Sequence, residues 1–159
     1  DGEFASRGKT NKLILDQALQ DFENIPAENI NSFDVNDFEI NFLRGLDLED
    51  GASTITDFTS SIIANKLLEL ISKYNQKISK VILCGGGRKN KALIERIKRD
   101  TKNKLIFETT DEYGIDGDFV ESQAFAFLAI RSLLGMPISF PTTTRNNKFL
   151  TGGVLIENF

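Results

Sequence analysis

Three consecutive glycines, Gly85-Gly86-Gly87, follow the apolar run Val81-Ile82-Leu83 with Cys84 between, and Asn90 stands ahead of an amphipathic segment from Lys91. That order reads as strand, tight turn, helix. Glycines at such a turn permit positive φ and close backbone approach by a ligand. A helix that starts at Asn90 points free N–H groups into the same gap. Strand end, glycines and helix N-terminus together can hold a nucleotide. The stretch is not a Walker A loop, since no Gly-Lys-Ser/Thr follows, and it lacks Gly-x-Gly-x-x-Gly spacing. A plain strand–helix turn of an α/β domain satisfies the same residues, so the motif alone leaves both readings open.

Histidine is absent from the chain. Acid–base work therefore falls to Asp or Glu. Asp118-Phe119-Val120-Glu121 has the spacing of a capping box, Asp at the N-cap and Glu at N3. Asp111, Asp116 and Asp118 are close enough in sequence to crowd a metal, but a solvated acidic loop is the favoured reading and no metal ligand is assigned. Cys84, the only cysteine, reads as a buried strand end rather than a nucleophile. Thr56 and Thr59 read as exposed polar positions rather than ligand contacts. Arg88, Lys91, Arg96, Lys98 and Arg99 read as a solvated basic face.

These residues need elements to hold them. Asp1 to Lys9 reads as the end of a connection. Leu13, Ile14, Leu15, Ala18, Leu19 and Phe22 predict a short helix over about Asn11 to Phe22, stopped by Pro26. Asn24 to Leu46 predicts a long ordered loop that buries Phe33, Phe38, Ile40 and Phe42. From Asp47, an N-cap, Ile55, Phe58, Ile62, Ile63, Leu67, Leu70 and Ile71 recur at helical steps to about Tyr74. Lys80 to Cys84 predicts a buried strand, and Asn90 to about Asp100 a helix that buries Leu93, Ile94 and Ile97. Leu105 to Phe107 predicts a second strand, parallel to the first because a helix joins them. The apolar stretch from Phe119 to Leu134 predicts a core helix ended by Gly135 and Pro137. A polar loop over Pro141 to Asn147 and a glycine-led strand over Gly152 to Ile156 complete an α/β chain.

The chain has 159 residues, enough for one domain or one lobe of a larger protein. A net charge of −4 and a pI of about 5.0 argue against a general nucleic-acid binder. No stretch reads as a transmembrane run or signal peptide. With one cysteine there is no internal disulfide, which favours the cytoplasm. Residue one is Asp and the only methionine is Met136, so a processed chain or a fragment is expected.

Several stretches together resemble one family, anhydro-N-acetylmuramic acid kinase. Cys84-Gly85-Gly86-Gly87-Arg88-Lys89-Asn90 is similar to its Cys-Gly-Gly-Gly-x-x-Asn. Gly114-Ile115-Asp116-Gly117-Asp118-Phe119-Val120-Glu121-Ser122-Gln123-Ala124 resembles its acidic loop and helix start, with Ser122 where Ala is usual. Pro137-Ile138-Ser139-Phe140-Pro141-Thr142-Thr143-Thr144 and Thr151-Gly152-Gly153 resemble its C-terminal signature. The order and spacing of these stretches are specific. Departures are Asn31 for a Lys, Val35 for an Arg and Arg145 for a Gly, with Ser32, Asp34 and Phe38 retained.

The resemblance implies the C-terminal lobe of an actin-like, ribonuclease H-like sugar kinase, a mixed sheet covered by helices. Residues 1–46 would be a connecting helix and long loop, and 47–159 an α/β core. The implied enzyme uses ATP, Mg²⁺ and water to turn 1,6-anhydro-N-acetylmuramic acid into N-acetylmuramic acid 6-phosphate in bacterial peptidoglycan recycling. Gly85, Gly86, Gly87 and Asn90 become the nucleotide residues, and Glu121 a carboxylate that reaches sugar or water. The N-terminal lobe, with its phosphate loop and catalytic aspartate, is expected upstream as a partner, and a homodimer is a further option. The other class is a non-catalytic nucleotide-binding or structural remnant of a split kinase gene.

Overall fold

The computed structural model describes residues 1–24, 38–73, 80–144 and 146–156. Pro26, Asn31, Ser32, Phe33, Asp34, Val35, Tyr74 and Arg145, singled out above, lie outside them. The chain divides into two compact units, Asp1–Thr109 and Thr110–Phe159.

The first unit runs α1 (Glu3–Arg7), α2 (Lys12–Glu23), a 3-10 turn Asn41–Leu43, α3 (Leu48–Lys73), β1 (Lys80–Leu83), a 3-10 turn Gly86–Lys89, α4 (Lys91–Asp100) and β2 (Ile106–Thr109). The two strands pair in parallel, from Lys80 opposite Ile106 to Leu83 opposite Thr109. A parallel pair requires a crossover, and α4 supplies it. Among the described residues this pair is the whole sheet, so their structure is mostly helical and holds no mixed sheet. The buried strand expected at Lys80–Cys84 is only half covered. Ile82 is 51% and Ile106 55% exposed, while Val81 and Leu83 are half-buried. Side chains alternate across a strand, and only one face of this pair is covered. Cys84 is exposed rather than a buried strand end.

The Asp1–Lys9 connection is in fact partly helical, as α1. α2 starts as expected, with Asn11 accepting from the Ile14 N–H at 3.2 Å. α3 is headed by Asp47, whose carboxylate accepts from the Asp50 N–H at 2.8 Å. Of the predicted apolar stripe only Phe58 is buried. Ser53, Asp57, Ser60 and Ala64, spaced at helical steps, are buried together with Thr54, Thr56 and Phe58, whereas Ile63 is exposed. Small hydroxyl side chains allow neighbouring helices to come close. Their oxygens are satisfied one turn back: Thr54 donates to Asp50 O at 2.8 Å and Thr56 to Ala52 O at 2.7 Å. Thr56 is therefore not an exposed position. α4 lays Ala92 and Ile97 inward, with Leu93 and Ile94 half-buried. Phe22, Phe38, Phe42 and Phe58 meet ring to ring at centroid distances from 5.3 to 6.1 Å, while Ile40 stays exposed instead of buried.

The second unit contains a 3-10 turn Thr110–Tyr113, α5 (Val120–Leu133) and α6 (Pro141–Thr144). α6 replaces part of the expected polar loop, because Pro141 suits a first helical turn and Thr143 and Thr144 N–H groups bond Phe140 O at 2.9 and 3.0 Å. An antiparallel bridge joins Ser139 and Leu150. The Gly152–Ile156 stretch forms no strand, since it has no ladder partner among the described residues. α5 forms where expected but buries none of its residues; Phe125 is 64% and Leu133 68% exposed. A helix apolar on most sides needs a second layer to cover it, and a unit with one long helix and no sheet does not provide one. No described helix is long and apolar enough to cross a membrane.

Candidate functional site

β1 delivers the chain to Cys84, and Gly85 turns it with φ 75° and ψ 174°. That left-handed φ favours glycine for conformational reasons. Gly86 and Gly87 then enter the 3-10 turn with no such need. A Cβ added to either meets nothing within 4 Å, as is also true at Gly85. Among the described residues no neighbour demands glycine at these two positions. Arg88 folds back, its Nη1 donating to Gly85 O at 3.0 Å. Asn90 ends the turn and caps α4: Oδ1 accepts from the Leu93 N–H at 3.1 Å and its carbonyl from the Ile94 N–H at 3.1 Å. One of the donors that a helix start leaves free, the Leu93 N–H, is answered by the Asn90 side chain, and the Asn90 carbonyl takes the first bond of the helix itself. Gly85, Gly86, Gly87 and Asn90 thus sit together on one turn, as their spacing predicts, with Gly86 and Gly87 exposed and Gly85 and Asn90 half-buried.

The turn is tied down from behind by a group of charges. Arg96, two turns along α4, donates through Nη2 to Ala5 O at 2.8 Å and to Ser53 Oγ at 2.9 Å, and through Nη1 to Ser53 O. Its Nη1 also lies 3.3 Å from the Asp57 carboxylate, with side chains only 15% and 9% exposed. Arg99 reaches Asp57 at 2.8 Å and Asp100 at 2.7 Å. Thr10 donates to the other Asp57 oxygen. Burial pushes the Asp57 pKa up, but bonds from Thr10 and Arg99 and the charges of Arg96 and Arg99 outweigh it. The carboxyl is held below its ordinary value. The basic face of α4 is therefore not simply solvated. Arg96 is a packed anchor, which a charge pattern alone does not reveal; no signal in the sequence pairs it with Asp57.

Glu121 belongs to the second unit and lies exposed in the first turn of α5. The capping box does not form. The helix opens at Val120 with Phe119 as N-cap and no side-chain cap bond, so Asp118 stands one residue outside the cap position and Glu121 one short of N3. The acidic loop is organised by its own backbone. Asp111 accepts from the Gly117 N–H at 3.3 Å and Asp116 from the Asp118 N–H at 2.9 Å. Among the described residues no three Cys, Asp or Glu side chains are grouped to hold a metal ion.

Comparison with known proteins is consistent along the chain. Residues 1–157 match the family model described as anhydro-N-acetylmuramic acid kinase. The protein of that name from Pelagibacter ubique (strain HTCC1062) is 46% identical over 158 residues, which cover 99% of this chain and 42% of that protein. Those from Methylorubrum populi and Rhizorhabdus wittichii are 36% and 39% identical over 159 and 155 residues, each covered to 40% of its length. The chain thus spans about two fifths of the length of these relatives.

Proposed function

The chain belongs to the anhydro-N-acetylmuramic acid kinase family, and from that membership we propose that it is the C-terminal, nucleotide-holding lobe of an actin-like sugar kinase. Residues 1–46 would be the connecting part and 47–159 the α/β core of that lobe. The full-length protein would use ATP and water to convert 1,6-anhydro-N-acetylmuramic acid to N-acetylmuramic acid 6-phosphate, in peptidoglycan recycling in the bacterial cytoplasm.

The observation that carries the nucleotide assignment is the open space over Gly86 and Gly87. Two glycines on which the described residues place no conformational or steric demand leave room for a ligand to lie against the backbone. The adjoining start of α4 adds a field that favours an anion. Mg²⁺, when bound, neutralises charge on the phosphates and would travel with them rather than on this chain's carboxylates. In this scheme the glycine turn and Asn90 hold and orient the nucleotide, and Glu121 orients the sugar or the attacking water. The general base and the opposing wall of the cleft would come from the other lobe.

A second reading is a non-catalytic nucleotide-binding or structural remnant of a split kinase gene. Calorimetry and a product assay separate the cases. ATP should bind the parent and bind Gly86→Val at least about tenfold more weakly, with the melting temperature little changed, because the new side chain fills ligand space rather than core. Equal affinity for parent and variant removes the site. The 159-residue chain with ATP, Mg²⁺ and the anhydro-sugar should yield no 6-phosphate; sustained turnover would overturn the two-lobe assignment.

A further inference from the structure

We infer that the segment Asp1–Thr10 is a brace for the glycine turn, with Gly2 as a positioning residue that acts through Asn90. Its contacts run along it in order. Gly2, at φ 82°, presses its backbone on the Asn90 side chain; a Cβ there would overlap Asn90 Oδ1 and lie 3.1 Å from its Cγ and 2.9 Å from Ala92 Cβ. Ala5 O takes the Arg96 guanidinium at 2.8 Å. Gly8 passes so close to the start of α3 that a Cβ would overlap Glu49 O and lie 2.7 Å from Asp50 N, while the Lys9 N–H bonds the Asp50 carboxylate at 2.7 Å. Thr10 ends the segment on Ser53, at 3.0 Å, and on Asp57.

The middle and end of the segment are thus fixed to α3 and α4, and its first residues are held against the atom that caps α4. Asn90 Oδ1 is the acceptor for Leu93 N–H, so a displaced Asn90 opens the helix start that the turn leads into. The Gly2–Asn90 contact borders a cleft of about 330 Å³ lined also by Phe4, Ile55 and Thr56. A change at Gly2 therefore disturbs the cap without emptying a packed core. Gly8 is the internal control: it is equally crowded, but its neighbours are the first turn of α3 and not Asn90.

The test is amide hydrogen exchange on the full chain, which needs no ligand. Gly2→Ala should speed exchange at Leu93 and Ile94 roughly tenfold, the equivalent of one lost cap. Gly8→Ala, which loosens the segment on α3, should speed the first turn of α3 most and those two amides less than Gly2→Ala does. Asn90→Ser shortens the side chain and keeps a capping oxygen, so Gly2→Ala/Asn90→Ser should exchange there close to Asn90→Ser alone. That pair carries the test if Gly2→Ala does not fold. Parent rates at Leu93 and Ile94 in Gly2→Ala, or equal acceleration by Gly8→Ala, would overturn the brace. Its link to function rests on the nucleotide reading and has its own readout: ATP should bind Gly2→Ala about tenfold more weakly because the competent turn is less populated. No ATP binding by the parent would sink the nucleotide reading and leave the exchange result to decide the brace.

Discussion

Asp57 is where charge, burial and packing meet, and its replacement gives the sharpest test of how the first unit is held. Its carboxylate is 9% exposed and receives Thr10, Arg99 and Arg96. The three partners are not equal. Arg99 is 58% exposed, so solvent screening limits that pair to about 0.5 kcal/mol. The Arg96 side chain is only 15% exposed, close to the case of a buried pair, whose break costs about 3–5 kcal/mol when a charge is stranded. Arg96 would keep Ser53 O, Ser53 Oγ and Ala5 O as acceptors, which argues for the lower end. Asp57→Ala should therefore lose about 3 kcal/mol, or roughly 10 °C in melting temperature. Asp57→Asn keeps an acceptor for Thr10 and should lose about 1–2 kcal/mol. The pH dependence follows from the depressed pKa. The folded value lies below the unfolded one, so the stabilisation is complete above the ordinary aspartate value of about 3.9 and is lost as pH falls through the folded value. Thermal melts of parent and Asp57→Asn should differ equally at pH 7 and 5 and converge below about pH 4. A gap that persists unchanged at pH 3, or is absent at pH 7, refutes the account.

Two further expectations concern the proposed site. Glu121→Gln in the full-length protein should keep its melting temperature, since Glu121 makes no cap bond, and should lower turnover about a hundredfold or more if the carboxylate orients water or sugar; an unchanged turnover number eliminates that role. Cys84 is exposed beside Gly85, so the folded chain should react with a thiol reagent at once, and saturating ATP should slow the reaction several-fold; labelling only after denaturation, or no protection by ATP where ATP binds, contradicts the placement of the thiol next to the ligand.

Local order was legible because it is written in local chemistry. The apolar run before Gly85, the cap at Asn90 and the periodicity after it announce a strand, a turn and a helix, and a helix between two strands makes them parallel. The same holds for Asp47 at the head of α3 and Asn11 at the head of α2, where a short side chain answers a backbone donor three residues on. Gly85, Gly86, Gly87 and Asn90 are adjacent in the chain, so their meeting on one turn needed no tertiary information. The faces of the elements were another matter. On α3, periodicity marks an aliphatic stripe, yet the serine–threonine–aspartate stripe is the one that α1 and α4 cover, because burial depends on which helix arrives and how closely it can pack. Arg96 and Asp57 are 39 positions apart, and a charge pattern is blind to such a pair. Gly2 and Gly8 look like ordinary loop glycines until another backbone is set against them. The apolar character of α5 is plain in its residues, but what covers it is not a property of those residues. The sequence by itself determined α2 to α5, the two strands and the glycine turn, since these rest on patterns within a few residues, but not α1, α6 or the loss of the expected strand at Gly152–Ile156. Only the tertiary structure decided which side chains are buried, which charges pair and which glycines are compulsory, since each of those depends on atoms that the fold brings from tens of residues away.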